Sequence, residues 1–223
     1  MEKYFWSEPQ RFSAFPIARP GYGVIGASAF ATAILALIGF AGLSCFGLIV
    51  TFFICWFFRD PDRIVPTRKG AVVSPADGKV VVHEVVKENP FIEGPCLKIS
   101  IFMSVLNVHV NRIPYEGKIS RIVYNPGKFF SANLDKASLD NEQNALVLET
   151  AEGKKICFIQ IAGLVARRII CNVQEGDELL RGQRFGMICF GSRLDVFLPP
   201  DTRTEISVGD KVQAGTSILG YLN

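Results

Sequence analysis

Histidine and paired cysteines are scarce in this 223-residue chain. There are two histidines, and none of the six cysteines lies in a Cys-x-x-Cys pair. A zinc cluster needs such ligands at close spacing, so the composition argues against a metal site and favours free, buried thiols in a reducing compartment. The formal net charge of +3 is too small to indicate nucleic-acid binding.

Charged side chains are missing altogether between Pro20 and Phe58. A membrane crossing takes about 20 apolar residues, and one straight helix over this run would be about twice too long. Glycines at positions 39 and 42 fall in the middle of it. The run therefore predicts two helices that form a membrane hairpin, which either crosses twice or dips into the bilayer and returns. The alternative is a buried apolar hairpin in a soluble protein.

Both flanks of the apolar run are basic. Lys3, Arg11 and Arg19 precede it, and Arg59, Arg63, Arg68 and Lys69 follow it. This symmetry places both ends on the cytoplasmic side, and the run starts too late for a cleaved signal peptide. We therefore expect a membrane-anchoring segment over residues 1–63 and a second domain over 64–223 at the cytoplasmic face of the inner cell membrane.

The second part of the chain is rich in short apolar runs separated by Gly, Pro and Asp. The runs are Ala71–Ser74, Lys79–Val86, Cys96–Phe102, Val105–Val110, Gly117–Tyr124, Ala145–Glu149, Lys155–Ile161, Ala166–Val173, Arg184–Phe190 and Leu194–Leu198. Many short strands at this spacing predict a mainly β domain, a sandwich or a barrel-sandwich. The polar stretch 129–144 predicts a loop or a short helix.

A short pattern occurs twice near the end of the chain. Gly176-Asp177 is followed by Gly182, and Gly209-Asp210 is followed by Gly215, at the same spacing. The pattern resembles the hairpins of lipoyl- and biotinyl-carrier sandwiches. The modified lysine motif of those carriers is missing, so the likeness concerns the scaffold rather than the chemistry.

Few residues of the sequence, taken singly, indicate a catalytic role. His83 and His109 are the side chains whose ordinary pKa lies near neutrality. A strand role is the simpler explanation for His83, whereas His109 shares a strand face with polar positions 107 and 111, which is either solvent-facing or a site. Asp77 fits an ordinary turn, and the Gly-Ser dipeptide at Ser192 has little specificity alone.

Several segments in fixed order carry a family resemblance. They are 58–61 (FRDP), 74–78 (SPADG), 102–104 (FMS) with His109, 136–138 (KAS) with 141–144 (NEQN), 162–169 (AGLVARRI) and 184–196 (RFGMICFGSRLDV). Together they resemble the short, membrane-bound form of phosphatidylserine decarboxylase over nearly the whole chain. Another branch of the family has Leu-Gly-Ser-Thr at 190–193 and a second histidine where Arg112 stands. Either His109 serves both histidine roles, or water serves one.

The resemblance implies a pyruvoyl cofactor made from the chain itself and no metal. The Ser192 hydroxyl would attack the carbonyl of Gly191, with His109 as the base and Asp77 orienting it. Elimination and loss of ammonia would leave a ketone on Ser192. The products would be a β chain of residues 1–191 and an α chain of residues 192–223, which stay associated.

The resemblance further implies that the substrate amine forms a Schiff base with this ketone. Carbon dioxide would leave, His109 would return a proton, and phosphatidylethanolamine would be released. Four arginines are candidates for the lipid phosphate, although a salt bridge or an exposed position explains each equally well: Arg112, Arg167, Arg168 and Arg193.

The expected partners are a phospholipid substrate, the membrane and further copies of the chain in a homo-oligomer, with no nucleic acid. Two other functions compete with the decarboxylase. One is a membrane-tethered carrier or adaptor module without catalysis, which would stay a single chain. The other is a self-cleaving serine hydrolase that acts on lipids and keeps Ser192 as serine.

Overall fold

The structure is a computed structural model that describes residues 4–5, 8, 16–127, 141–163, 168–189 and 191–223. Two helices and sixteen strands occur in these ranges. The helices are α1 (Gly21–Leu37) and α2 (Ala41–Phe57). The strands are β1 (Tyr4–Phe5), β2 (Val65–Pro66), β3 (Ala71–Val73), β4 (Gly78–Val86), β5 (Cys96–Met103), β6 (Val110–Arg112), β7 (Gly117–Asn125), β8 (Gln143–Glu149), β9 (Lys155–Ala162), β10 (Ile169–Cys171), β11 (Glu178–Leu179), β12 (Arg184–Ile188), β13 (Ser192–Leu198), β14 (Arg203–Thr204), β15 (Lys211–Val212) and β16 (Ile218–Tyr221).

Residues 11–62 form one compact unit, and residues 1–10 with 63–223 form the other. In the first unit, α1 and α2 are joined by a turn at Gly39, whose φ of +86° suits glycine. The helices pack antiparallel, because Ser28 hydrogen-bonds Thr51 at 2.8 Å and Gly47 lies against Thr32. Among the described residues, no helix is both long enough and apolar enough to cross a membrane.

Much of the apolar surface of these two helices faces outward. The exposed fraction is 69% for Phe30, 64% for Phe46 and 66% for Phe52. Helices whose outward faces are apolar are unusual on a protein surface in contact with water. Such faces are normally buried within the protein or covered by a binding partner or a membrane.

The second unit is mainly β, as the sequence predicts. Its main sheet has eight strands in the order β11-β7-β8-β9-β13-β5-β4-β15 and curls into a half-barrel. Every neighbouring pair in it is antiparallel. The larger apolar core packs on one face of this sheet, beneath two three-stranded sheets in the orders β10-β12-β6 and β14-β16-β3.

The repeated Gly-Asp pattern forms two equivalent turns. The carboxylate of Asp177 accepts from the backbone N–H of Gln174 at 2.9 Å, and that of Asp210 accepts from Ser207 at 2.8 Å. Each turn then bonds to the start of a long strand, since the Asp177 carbonyl accepts from Ile119 on β7 and the Asp210 carbonyl from Val80 on β4. The second half of the sheet therefore repeats the plan of the first.

Two sequence predictions of secondary structure are wrong. Residues 105–109 are not a strand: a turn at 105–106 is closed by the Asn107 N–H, which donates to the Ser104 carbonyl at 2.9 Å, and β6 begins only at Val110. The Asn107 side chain accepts from both the N–H and the hydroxyl of Ser104, and such side-chain bonds compete with strand pairing. Residues 143–144 open β8 rather than continuing a loop. The part of that predicted loop at 129–140 lies outside the described residues.

Candidate active site at one end of the sheet

The ends of four neighbouring strands meet at one end of the main sheet. Ser192, the first residue of β13, pairs with Met103 at the end of β5 and with Ala162 at the end of β9. β4 begins beside this point, because Lys79 pairs with Phe102. Strand pairing thus brings the candidate residue Ser192 and the turn that contains Asp77 to the same end of the main sheet.

Ser192 is fully buried, and its hydroxyl donates to the thioether sulfur of Met103 at 3.4 Å. The residue before it, Gly191, has a φ of +64°, which lies in the left-handed region. Among the residues that the structure describes, none but the chain neighbours comes within 4 Å of the position a Cβ would take on Gly191. The backbone before Ser192 is therefore turned into a conformation that favours glycine.

His109 is fully buried in the segment between β5 and β6. Its ring Nδ1 lies 2.9 Å from the carbonyl oxygen of Asn107. A carbonyl only accepts, so Nδ1 carries the proton and Nε2 is the basic nitrogen of the neutral ring. The His109 carbonyl accepts from the N–H of Ile188 at 3.3 Å, which ties this segment to the strand that ends just before Gly191.

Asp77 lies directly before β4, and both of its carboxylate oxygens accept hydrogen bonds. One oxygen accepts from the Arg63 guanidinium at 2.9 Å, and the other accepts from the backbone N–H of Ala214 at 2.7 Å. Its orienting role toward His109 stays a prediction. Sequence reasoning missed Arg63 as the partner of Asp77, because Arg63 reads as one of several basic residues flanking the apolar run.

Three buried amide side chains lie behind Ser192, and sequence reasoning missed them as a group. They are Asn111 on β6, Asn144 on β8 and Gln160 on β9. Gln160 donates to the side-chain oxygen of Asn111 at 2.9 Å, and Asn144 donates to that of Gln160 at 3.2 Å. Asn111 in turn donates to Met103 Sδ at 3.8 Å. No motif links these positions along the chain.

The four phosphate candidates have different surroundings. Arg112 is buried and donates to the carbonyl of Gly182 at 2.8 Å. Arg193 is buried and holds both oxygens of Asp195, at 2.8 and 3.0 Å. Arg168 is exposed and its carbonyl accepts from the N–H of Cys189, two residues before Gly191. Arg167 lies outside the described residues. Arg168 is therefore the described candidate whose charge faces solvent near the site.

The thiols near the sheet are held neutral. Burial raises the pKa of Cys189, although the charge of Arg168 opposes this in part. Burial also raises the pKa of Cys96 and of Cys157. Protonated thiols are poor nucleophiles and poor metal ligands. In the part of the chain that the structure describes, no group of three or more His, Cys, Asp or Glu side chains could hold a metal ion.

The family model of phosphatidylserine decarboxylase matches residues 50–220. A phosphatidylserine decarboxylase proenzyme of Desulfotalea psychrophila is 50% identical over 93% of this chain and 97% of its own length. The proenzyme of Syntrophus aciditrophicus is 56% identical over 78% and 81%, and that of Paramagnetospirillum magneticum is 44% identical over 100% and 90%.

Proposed function

The chain belongs to the phosphatidylserine decarboxylase family, and on that premise we propose that it removes carbon dioxide from the serine head group of phosphatidylserine. The product is phosphatidylethanolamine. This family favours a carboxy-lyase over the non-catalytic carrier module. The main structural support for this proposal is the position of Ser192. Its side chain is buried at the start of β13, and the preceding residue, Gly191, has a left-handed backbone conformation.

The relatives named above are proenzymes, and Gly191–Ser192 is the bond proposed to break in this chain. Attack on the Gly191 carbonyl is helped by the absence of a Cβ at Gly191, because no side chain of this residue crowds its own carbonyl. The basic Nε2 of His109 is assigned the Ser192 hydroxyl proton. His109 is suited to this because its Nδ1 proton is already engaged by the Asn107 carbonyl.

The surroundings of Ser192 fit a pyruvoyl group. After cleavage, residue 192 would be the first of the new chain, and a charged amino terminus there would be costly because the position is fully buried. A ketone removes that charge. A carbonyl at this point supplies the electron sink that decarboxylation requires and that ordinary side chains lack.

The remaining roles rest on position and charge. His109 is proposed to deliver the proton that replaces the lost carboxyl group. Asp77, fixed by Arg63 and by the Ala214 N–H, is proposed to support His109 through its negative charge, since the Asn107 carbonyl already accepts the Nδ1 proton that an orienting carboxylate would bind. Arg168 is proposed to hold the lipid phosphate, because it is exposed whereas the guanidinium of Arg193 is engaged by Asp195.

The apolar helices are proposed to anchor the chain to the membrane. Their outward phenylalanines suit contact with acyl chains and head groups. Basic residues on both flanks, Arg19 before α1 and Arg59 after α2, support the proposal that both ends lie at the cytoplasmic face of the inner membrane. A homo-oligomer is proposed on the family resemblance alone.

Denaturing mass measurement of the purified protein tests the proposal. A carrier module stays one chain of 24.6 kDa. The decarboxylase gives two chains, 1–191 and 192–223, and the shorter lacks a free amino terminus and gains hydrogen on borohydride treatment. A cleaved protein with an intact serine at position 192 would instead indicate a hydrolase. Carbon dioxide release from serine phospholipid vesicles then tests the reaction itself.

A further inference from the structure

The three buried side-chain amides of Asn111, Asn144 and Gln160 are linked by hydrogen bonds, and the orientation of each amide is fixed by these bonds. Gln160 Nε2 lies 2.9 Å from Asn111 Oδ1 and 3.3 Å from the carbonyl oxygen of Ile170. A backbone carbonyl only accepts, so the NH2 end of Gln160 must face Ile170. Gly186 makes room for this contact, since a Cβ there would lie 2.1 Å from that carbonyl oxygen.

The orientation of the Gln160 amide also determines the orientation of the Asn111 amide, which lies next to Met103. Because Gln160 presents its NH2 end to Asn111, the oxygen of Asn111 faces Gln160 and its own NH2 end faces Met103. The oxygen end of Gln160 is taken by Asn144 at 3.2 Å. All three amides are buried, so reversing any one of them would leave buried polar atoms unsatisfied, which is unfavourable.

Two donors therefore converge on the sulfur of Met103. The Ser192 hydroxyl donates at 3.4 Å and the Asn111 amide at 3.8 Å. A thioether is a weak acceptor, so the Asn111 N–H is poorly satisfied there, and it shares this acceptor atom with the Ser192 hydroxyl. A hydrogen bond from this N–H to Ser192 Oγ would strengthen greatly if that oxygen became negatively charged.

Such a charge arises in the proposed self-cleavage, on which this inference rests. In the ester stage, Gly191 is bonded through its carbonyl carbon to Ser192 Oγ. A base removes the Cα proton of Ser192, the released pair forms the Cα=Cβ bond, and the Cβ–Oγ bond breaks with its pair left on Oγ. Gly191 departs as a carboxylate. Tautomerisation and attack by water then release ammonia and leave the ketone.

We infer that the Asn111 amide donates to Ser192 Oγ as that oxygen leaves with Gly191, and that Gln160 holds the amide in the orientation this requires. Asn111 thus stabilises the leaving group of the elimination. Gln160 is a positioning residue that acts through Asn111.

The test follows chain cleavage of freshly synthesised full-length protein rather than decarboxylation. Removing a donor to a developing oxyanion costs about 100-fold or more in rate in well-studied enzymes. We expect Asn111→Ala to slow the appearance of the 192–223 chain at least about tenfold. Gln160→Met, which cannot hold the amide, should slow it in the same direction. A melting measurement on each variant identifies those that remain folded.

Hydroxylamine identifies the step. It cleaves esters, so an accumulated ester would release residues 1–191 as a hydroxamate and leave a serine amino terminus on 192–223. We expect hydroxylamine-dependent release from Asn111→Ala and little from the wild type. Cleavage at the wild-type rate in folded Asn111→Ala would overturn the inference. Slow cleavage without a hydroxylamine-sensitive ester would also overturn it, because the defect would then precede the ester.

Asn89→Ala is the matched control. Asn89 is buried, and its side-chain oxygen accepts from the N–H groups of Phe91 and Ile92 in the segment between β4 and β5. Its loss should lower stability without changing the cleavage rate. If Asn89→Ala slows cleavage as much as Asn111→Ala, the effect is one of general stability and the inference fails. If the wild type itself never breaks before Ser192, the proposed function fails with it.

Discussion

Ser192 and Met103 face each other across β13 and β5, and the serine hydroxyl donates to the methionine sulfur at 3.4 Å. The sulfur holds the hydroxyl weakly, so the proton remains easy to redirect to a base. This arrangement keeps a buried nucleophile available without a strong competing bond.

Met103→Leu should therefore leave self-cleavage within a few-fold of the wild-type rate. The swap conserves volume, and such core changes usually cost less than about 1.5 kcal/mol. Timed gel analysis of newly made protein measures the rate, and thermal melting measures the stability. A folded variant that stays a single chain would mean that the sulfur has an active role in cleavage.

Ser192→Ala should yield one uncleaved chain without decarboxylase activity, because no hydroxyl remains to attack Gly191. Ser100→Ala is the matched control: Ser100 is also fully buried on the sheet, and its hydroxyl makes no hydrogen bond to any residue that the structure describes. Its loss removes an unsatisfied polar group, so the control should cleave normally and be at least as stable as the wild type. Normal cleavage of Ser192→Ala, seen by denaturing mass measurement, would place the reaction at another residue.

His109→Ala should block cleavage, because the basic Nε2 of this ring is the proposed proton acceptor. His83→Ala should be nearly silent for cleavage, since His83 lies in the middle of β4, paired with Ile99 and away from the strand ends that meet at Ser192. Both variants are compared by the fraction cleaved over time. Brisk cleavage of His109→Ala, or a block in His83→Ala, would exchange the roles of the two histidines.

Asp77→Asn should slow cleavage at least about tenfold, because its negative charge is proposed to support His109 as the base; the aspartate of a catalytic triad is worth more, about 10⁴-fold in kcat. Arg63→Gln removes the same ion pair but leaves the carboxylate and its bond from the Ala214 N–H. This control should therefore cleave within a few-fold of the wild type. Equal defects in the two variants would assign Asp77 a structural role in the ion pair.

The buried thiols should resist alkylation by iodoacetamide in the native protein at pH 8. Burial raises the pKa of Cys96, Cys157 and Cys189, so the reactive thiolate is even scarcer at this pH than for an ordinary thiol. The exposed Cys45 should react first. Because the folded state disfavours these thiolates, stability should be unaffected below the ordinary thiol pKa and should fall as the pH rises above about 9. Peptide mapping checks the order, and rapid labelling of Cys157 would contradict it.

The sequence was sufficient for the family and the mainly β class, whereas cleavage at the Gly191–Ser192 bond stays a prediction. Alternating apolar runs predict β4, β5, β7 and β9 closely, because a strand exposes its two faces with a period of two residues. The doubled Gly-Asp turns could be seen in advance as well, since each depends on residues close together in the chain. The strand predicted at 105–110 is wrong over 105–109, because the Asn107 side chain accepts a hydrogen bond from Ser104 and thereby favours a turn.

Long-range pairs depend on register, which local periodicity does not encode. Arg63 meets Asp77, Met103 meets Ser192, and the amides of Asn111, Asn144 and Gln160 meet behind the serine only after β5, β6, β8, β9 and β13 have taken their places. A shift of one residue in any strand would turn these side chains to the opposite face. The chain by itself thus specifies its strands and the bond proposed to break, whereas tertiary pairing decides which buried groups surround that bond.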